Sequence, residues 1–194
     1  MGAKSHLMCD LETLGTVPGC VGLSIGIVEF FPHACTLGKE YYRVINVDSS
    51  LEHFLREDPD TVAWWEKQSA EARVIVDQAR AGEGVDLPDA MHDLNQWLAS
   101  INTKSNILFY GNGADFDNPI LRCMYDAALV PPYVAGYGGR CYRTLKNLDE
   151  LLGDAFKFDK VQRQGTYHNA LDDAKSQAVH LMENIRRIKE TINA

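Results

Sequence analysis

The spacing of apolar positions changes along the chain. Residues 6–11, 21–31 and 40–47 form dense apolar runs, separated by turn residues: Gly15, Pro18 and Gly19, then Pro32 and Gly38. Three such runs with short links predict an antiparallel meander. Helical patterns follow. Pro59 behind Asp58, and Pro88 behind Asp86 and Leu87, mark helix starts, because proline suits a first turn where its missing N–H is not needed. The second of these helices carries an apolar stripe of Met91, Leu94, Leu98 and Ile101. Gly82-Glu83-Gly84 predicts a mobile turn between the helices. Residues 107–110, ending at Gly111, predict a short buried strand, and residues 119–129 a helix. Residues 129–139 contain Pro131, Pro132 and three glycines and predict a loop. Residues 141–145 predict a last strand, followed by a short helix to Leu152. The terminal helix runs from about Asn169 to Ile192, with the stripe Leu171, Ala174, Ala178, Leu181, Ile185, Ile188 and Ile192. Strands first, then helix–strand–helix, predict one α/β domain over residues 1–194, a mixed sheet with helices on its faces.

Composition narrows the setting. Hydrophobic residues make up 45% and charged residues 24%, which suits a globular protein in water. No apolar run approaches the roughly 20 residues of a membrane helix. Met1 to Ser5 lead straight into a strand pattern without a signal-peptide core. A cytoplasmic location, in a bacterial or phage-infected host cell, is expected. The five cysteines are odd in number, widely spaced and without a CxxC pair. That argues against a disulfide framework and a zinc ribbon and predicts reduced thiols. A net charge of −8 counts against a long phosphate-gripping groove. Acids that hold cations would relieve part of it and leave weak, local contact with a polyanion.

Three acidic motifs carry the candidate chemistry. In Asp10-Leu11-Glu12, strand alternation points both acids to one face. Alone, the pair also fits a strand ending in solvent, since two buried carboxylates repel unless a cation lies between them. Asn112-Gly113-Ala114-Asp115-Phe116-Asp117 follows the buried strand and opens a helix. Either acid there can serve as a cap, and the loop has the makeup of an active-site turn. In Tyr167-His168-Asn169-Ala170-Leu171-Asp172-Asp173, Asn169 is a natural N-cap, and Asp172 suits the positive helix end. Asp173 lies roughly 120° from the apolar stripe, so packing does not require it. His168 falls just outside the helix. Together, hard oxygen ligands without cysteine suit Mg²⁺ or Mn²⁺. Four carboxylates can hold two such ions, the arrangement used for phosphodiester hydrolysis, with a histidine nearby to take a proton from water.

The ordered set Asp10-x-Glu12, Asn112-x-x-x-Phe116-Asp117 and His168-x-x-x-x-Asp173 resembles the DnaQ-like, or DEDDh, 3′–5′ exonucleases. These include the proofreading subunit of bacterial DNA polymerase III, ribonuclease T and oligoribonuclease. The resemblance implies a ribonuclease H-like sheet and release of 5′-mononucleotides from 3′ ends of nucleic acid. It makes Asp10, Glu12, Asp117 and Asp173 the ligands of two Mg²⁺ or Mn²⁺ ions and His168 the general base. Thr13 and Leu14 would meet the terminal nucleotide, and Asn112 and Phe116 would support the second motif beside it. Residues 7–15 (LMCDLETLG), 61–69 (TVAWWEKQS) and 111–118 (GNGADFDN) are similar to the phage and prophage branch typified by the DNA exonuclease A of T-even phages. That branch makes DNA the expected substrate, with a 3′–5′ exoribonuclease or a non-catalytic nucleic-acid-binding protein as alternatives. Related enzymes stack terminal bases on aromatics of the Trp64-Trp65 region, which makes Trp65 the expected stacking residue and core packing its other use. Asp115 departs from the small uncharged residue expected there. Lys157, Lys160 and Arg163 read as solvated loop charges within reach of phosphates.

Overall fold

A computed structural model describes residues 2–163 and 165–192. Met1, Gln164, Asn193 and Ala194, which the expected 1–194 span includes, lie outside the described residues. Among the described residues, five strands form one mixed sheet. The predicted meander is present as β1 (Ser5–Thr13), β2 (Gly22–Phe31) and β3 (Thr36–Val44), all antiparallel. β4 (Ile107–Gly111) then joins β1 in parallel, and β5 (Gly139–Cys141) joins β4 in parallel. The resulting order, β3-β2-β1-β4-β5, makes β1 the central strand, with buried neighbours on both edges.

The helices divide between the two faces. α2 (Pro59–Trp65), α3 (Ala70–Arg80), α4 (Leu87–Ile101) and α5 (Asp117–Ala127) enclose the larger core with Leu7, Cys9, Leu23, Ile25 and Ile27. The last helix, α8 (Ala170–Ile192), covers the other face over Met8, Val28 and Phe30. Alternation explains the split: odd positions of β1 face the larger core, and even positions, among them Asp10 and Glu12, face α8.

Several elements differ from the pattern-based expectation. β3 starts earlier, at Thr36, and it ends earlier because Asn46 caps a short helix, α1 (Val47–Glu52), by accepting from Asp48 N–H at 3.0 Å. The helix opened by Pro59 is broken in two, and Ser69 caps the second piece through Ala72 N–H at 3.2 Å. The turn at Gly82-Glu83-Gly84 is docked, with Gly84 pressed on the backbone of Ile45 and Asn46, so a Cβ there would lie 2.5 Å from both. The expected strand 141–145 is a helix, α6 (Tyr142–Lys146), capped by the Cys141 thiol, and α7 (Asp149–Leu152) follows it. α8 buries Ala170, Ala174 and Ala178 against the sheet, whereas Leu171 and Ile185 are only partly buried and Ile192 is exposed. All five cysteines are free. Among the described residues, no helix is long and apolar enough to cross a membrane.

Candidate active site

β1 and the first turn of α8 bring three carboxylates together. One oxygen each from Asp10, Glu12 and Asp173 lies within 4.8 Å of the others. Burial, then the charges of Asp117, Glu12 and Asp173, hold Asp10 well above the usual carboxylate range, against a hydrogen bond from Gln177. Glu12 is pushed up to about 8, by burial first and then by Asp173 and Asp117, while Arg163 opposes the rise. Such crowding of like charge in a partly dehydrated place is unfavourable until a cation enters. The donors are all hard carboxylate oxygens, which fits Mg²⁺ or Mn²⁺. Gln177, which lines the same cleft, has a buried amide oxygen, Oε1, with no hydrogen-bond partner among the described residues.

Asp117 stands outside this cluster of three. It opens α5, is 1% exposed, and accepts backbone N–H bonds from Leu11 at 3.1 Å and Asn112 at 2.6 Å. Burial raises it to about 6 against those bonds. Each of its oxygens keeps a second lone pair, so it can still face a cation. Asp115 is exposed. The fold thus separates the two acids that the loop's sequence offers.

The cleft beside the acids has a volume of ≈670 Å³ and is lined in part by Thr13, Trp64, Asn112, Phe116 and His168. His168 lies outside α8. Asn169 caps that helix, accepting from Leu171 and Asp172 N–H at 3.1 Å each. His168 has φ 60, a left-handed conformation that a non-glycine residue keeps only when its surroundings hold it. Its N–H donates to Asp173 Oδ2 at 3.1 Å, and its ring meets Trp64 and Trp65 edge-on, with centroids 5.1 and 5.6 Å away.

Two expected contact residues are largely buried. Trp65 borders the cleft but is 3% exposed, packs in the core, and donates Nε1–H to the Thr13 carbonyl at 2.8 Å. Trp64 is the neighbour with an open ring, 43% exposed at the cleft. Leu14 has a wholly buried side chain and does not line the cleft. Its backbone bonds Val21 O and Asp58 N–H instead. Thr13 does line the cleft, with its hydroxyl donating to Gly15 O at 2.6 Å. Asn112 is fixed from both sides, since its carbonyl accepts from Arg143 Nη2 at 2.8 Å.

Two site residues escaped the sequence reading. Gln177 donates Nε2–H to Asp10 Oδ1 at 2.7 Å. The signal was available, because Gln177 lies four residues after Asp173 and so on the same helix face. Arg163, expected as a solvated loop charge within reach of phosphates, pairs with Asp173 Oδ1. Nothing local in the sequence marks that pairing.

A family model described as the 3′-5′ exoribonuclease Rv2179c-like domain matches residues 5–185. The chain belongs to that family. It is a hydrolytic 3′–5′ exonuclease domain, of a kind that uses divalent metal ions. Curated protein sequences give no match. Among solved structures, the nuclease domain of 3′hExo, a DEDDh family member bound to rAMP, is 13% identical, with a TM-score of 0.62 over 95% of this chain and 92% of that one. Cell-death related nuclease 4 is 13% identical, with a TM-score of 0.63 over 95% of this chain and 64% of that one. Exonuclease I of E. coli, in complex with a 5cy-dT13 oligonucleotide, is 14% identical, with a TM-score of 0.61 over 99% of this chain and 44% of that one. At such identities the likeness is one of fold: the five-stranded mixed sheet with flanking helices of ribonuclease H-like DEDDh exonucleases. The match supports this superfamily and does not extend to the phage branch.

Proposed function

We propose that this exonuclease removes 5′-mononucleotides one at a time from the 3′ end of a nucleic acid, with RNA as the favoured polymer. The observation that carries this is the meeting of Asp10, Glu12 and Asp173 within 4.8 Å, at a cleft shared with His168 and Trp64. The family is named for an exoribonuclease, which supports RNA. Exonuclease I of E. coli, which shares the fold, is seen in complex with a 5cy-dT13 oligonucleotide, and this supports DNA as the second reading.

Asp10, Glu12 and Asp173, with Asp117 behind them, would hold two Mg²⁺ or Mn²⁺ ions. Bound there, the ions supply the positive charge that makes water acidic and stabilises the departing oxygen. The protein's own groups do the rest. Trp64 offers an open ring for the terminal base, and Thr13, Asn112 and Phe116 wall the cleft around it. His168 takes the proton as the water oxygen bonds to phosphorus. The P–O3′ bond then breaks, leaving the phosphate on the released nucleotide, and the departing oxygen takes a proton from solvent to become the 3′-hydroxyl of the shortened strand. Gln177 holds Asp10, and the two backbone N–H groups hold Asp117, so that neither acid must reorganise during the reaction.

The test is a time course on 5′-labelled RNA and DNA strands with Mg²⁺, for wild type and His168→Ala. Wild type should give a ladder descending from full length, faster on RNA. The variant should lose roughly 10²–10⁴-fold in kcat while keeping its affinity for the ion. Immediate release of a labelled 5′ mononucleotide, or cutting of closed circles, would contradict 3′–5′ polarity. A near-normal kcat in the variant would remove His168 from the role of base.

A further inference from the structure

The carboxylate cluster already holds one cation of the protein's own. Arg163 Nη1 pairs with Asp173 Oδ1, and Nη2 donates to the Thr166 carbonyl at 2.8 Å. The guanidinium carbon lies 4.0 Å from the centroid of the Tyr167 ring, which gives the charge a shelf. Among the described residues, buried Arg163 Nε has no hydrogen-bond partner, so the guanidinium is not fully satisfied there. Among the described residues, no other ion pair reaches Asp10, Glu12, Asp117 or Asp173.

The same stretch of chain is fastened to the start of α8 at further points. His168 N–H donates to the second oxygen of Asp173 at 3.1 Å, and Thr166 N–H donates to Asp172 Oδ2 at 2.9 Å. Gly165 passes so close over Asp172 that a Cβ there would lie 2.2 Å from its Cγ. Both oxygens of Asp173 are therefore engaged by the segment that carries His168.

We propose that Arg163 is the resting counter-ion of the cluster, a latch that a divalent cation displaces from Asp173 as the site loads. This rests on the metal-dependent exonuclease assignment above and goes beyond it. A guanidinium and a divalent ion cannot both sit against Asp173 Oδ1 without strong like-charge repulsion. A divalent ion would carry twice the charge of the guanidinium and would be met by the three carboxylates gathered within 4.8 Å, where the guanidinium neutralises one. Displacing Arg163 also removes one of the ties between its segment and α8. Loading of the ion is thereby linked to freedom of the loop that bears His168. Arg163 is a positioning residue in this scheme, acting on Asp173 and on the loop.

The experiment is calorimetric titration of Mn²⁺ into substrate-free wild type, Arg163→Gln and Arg163→Lys. It is paired with tryptophan emission during Mg²⁺ titration, since the His168 ring lies against Trp64 and Trp65. Removing the latch should tighten Mn²⁺ binding by roughly tenfold in Arg163→Gln, with Arg163→Lys closer to wild type. Wild-type emission should change on Mg²⁺ addition, and metal-free Arg163→Gln should already resemble the loaded state. Equal or weaker Mn²⁺ binding in Arg163→Gln, with its melting temperature retained, would overturn the latch. An absence of Mn²⁺ binding to wild type would instead overturn the metal-site assignment on which the latch rests.

Discussion

Gly26 and Ala170 meet backbone to backbone: a Cβ on Gly26 would lie 2.2 Å from the carbonyl carbon of Ala170. Gly26 is also the ladder partner of Asp10. The missing side chain therefore sets how closely the first turn of α8, and Asp173 with it, approaches Asp10. Gly26→Ala should lift that turn and cost about 1–3 kcal/mol of stability, the range for overpacking. Mn²⁺ affinity should fall as well. Thermal melts and calorimetry together check this, and unchanged Mn²⁺ affinity in a folded variant would contradict it.

The adjacent tryptophans should behave differently. Trp64→Ala should weaken substrate binding by roughly 1–3 kcal/mol, the value of one stacked base, with little change in melting temperature. Trp65→Phe should do the reverse. It strands the Thr13 carbonyl and should cost about 1–3 kcal/mol of stability. The measurements are KM on a short oligonucleotide and a denaturant melt. A Trp65→Phe enzyme with normal stability and a raised KM would restore Trp65 as the stacking residue.

Asp117 and Asp115 should also separate. An amide at position 117 would turn its NH₂ toward one of the two backbone N–H groups that the carboxylate now accepts. Asp117→Asn should lower kcat by about 10–100-fold or more, and Asp115→Asn should stay near wild type. Equal losses would mean that the second motif uses both acids.

The metal-free protein should lose stability as pH rises. Glu12 titrates at about 8 in the fold, against about 4.3 for an unperturbed glutamate. Asp117 titrates at about 6, against about 3.9 for an unperturbed aspartate. The folded state therefore binds these protons more tightly than the unfolded state does. Their contribution is full below the unfolded values, falls as pH rises, and has gone once pH passes about 8. Melting curves in chelator should show this decline, and Mg²⁺ should flatten it. A decline of equal size with and without Mg²⁺ would be inconsistent with these acids being the ion's site.

Much of this was legible in the chain. Strand alternation gave Asp10 and Glu12 a common face, and the Asn169 cap put His168 outside the helix and Asp173 inside it. The α6 segment was not legible, because Tyr142 and Leu145 fit a strand as well as a helix, and a thiol cap at Cys141 is a weak signal. Trp64 and Trp65 could not be told apart. Which ring enters the core depends on how α2 docks on Thr13, a tertiary fact. Arg163 was missed for the same kind of reason: its partner becomes visible only when the loop is laid over α8.

The most direct measurement follows ion binding and strand cleavage in the same samples, for wild type and Asp173→Asn, on a 5′-labelled RNA strand. Wild-type cleavage should rise with Mg²⁺ occupancy and vanish in excess chelator. Asp173→Asn should lose both binding and cleavage while still melting cooperatively. Cleavage that persists in excess chelator, or an Asp173→Asn protein that digests the strand at the wild-type rate, would show that the carboxylate cluster is not the catalytic centre.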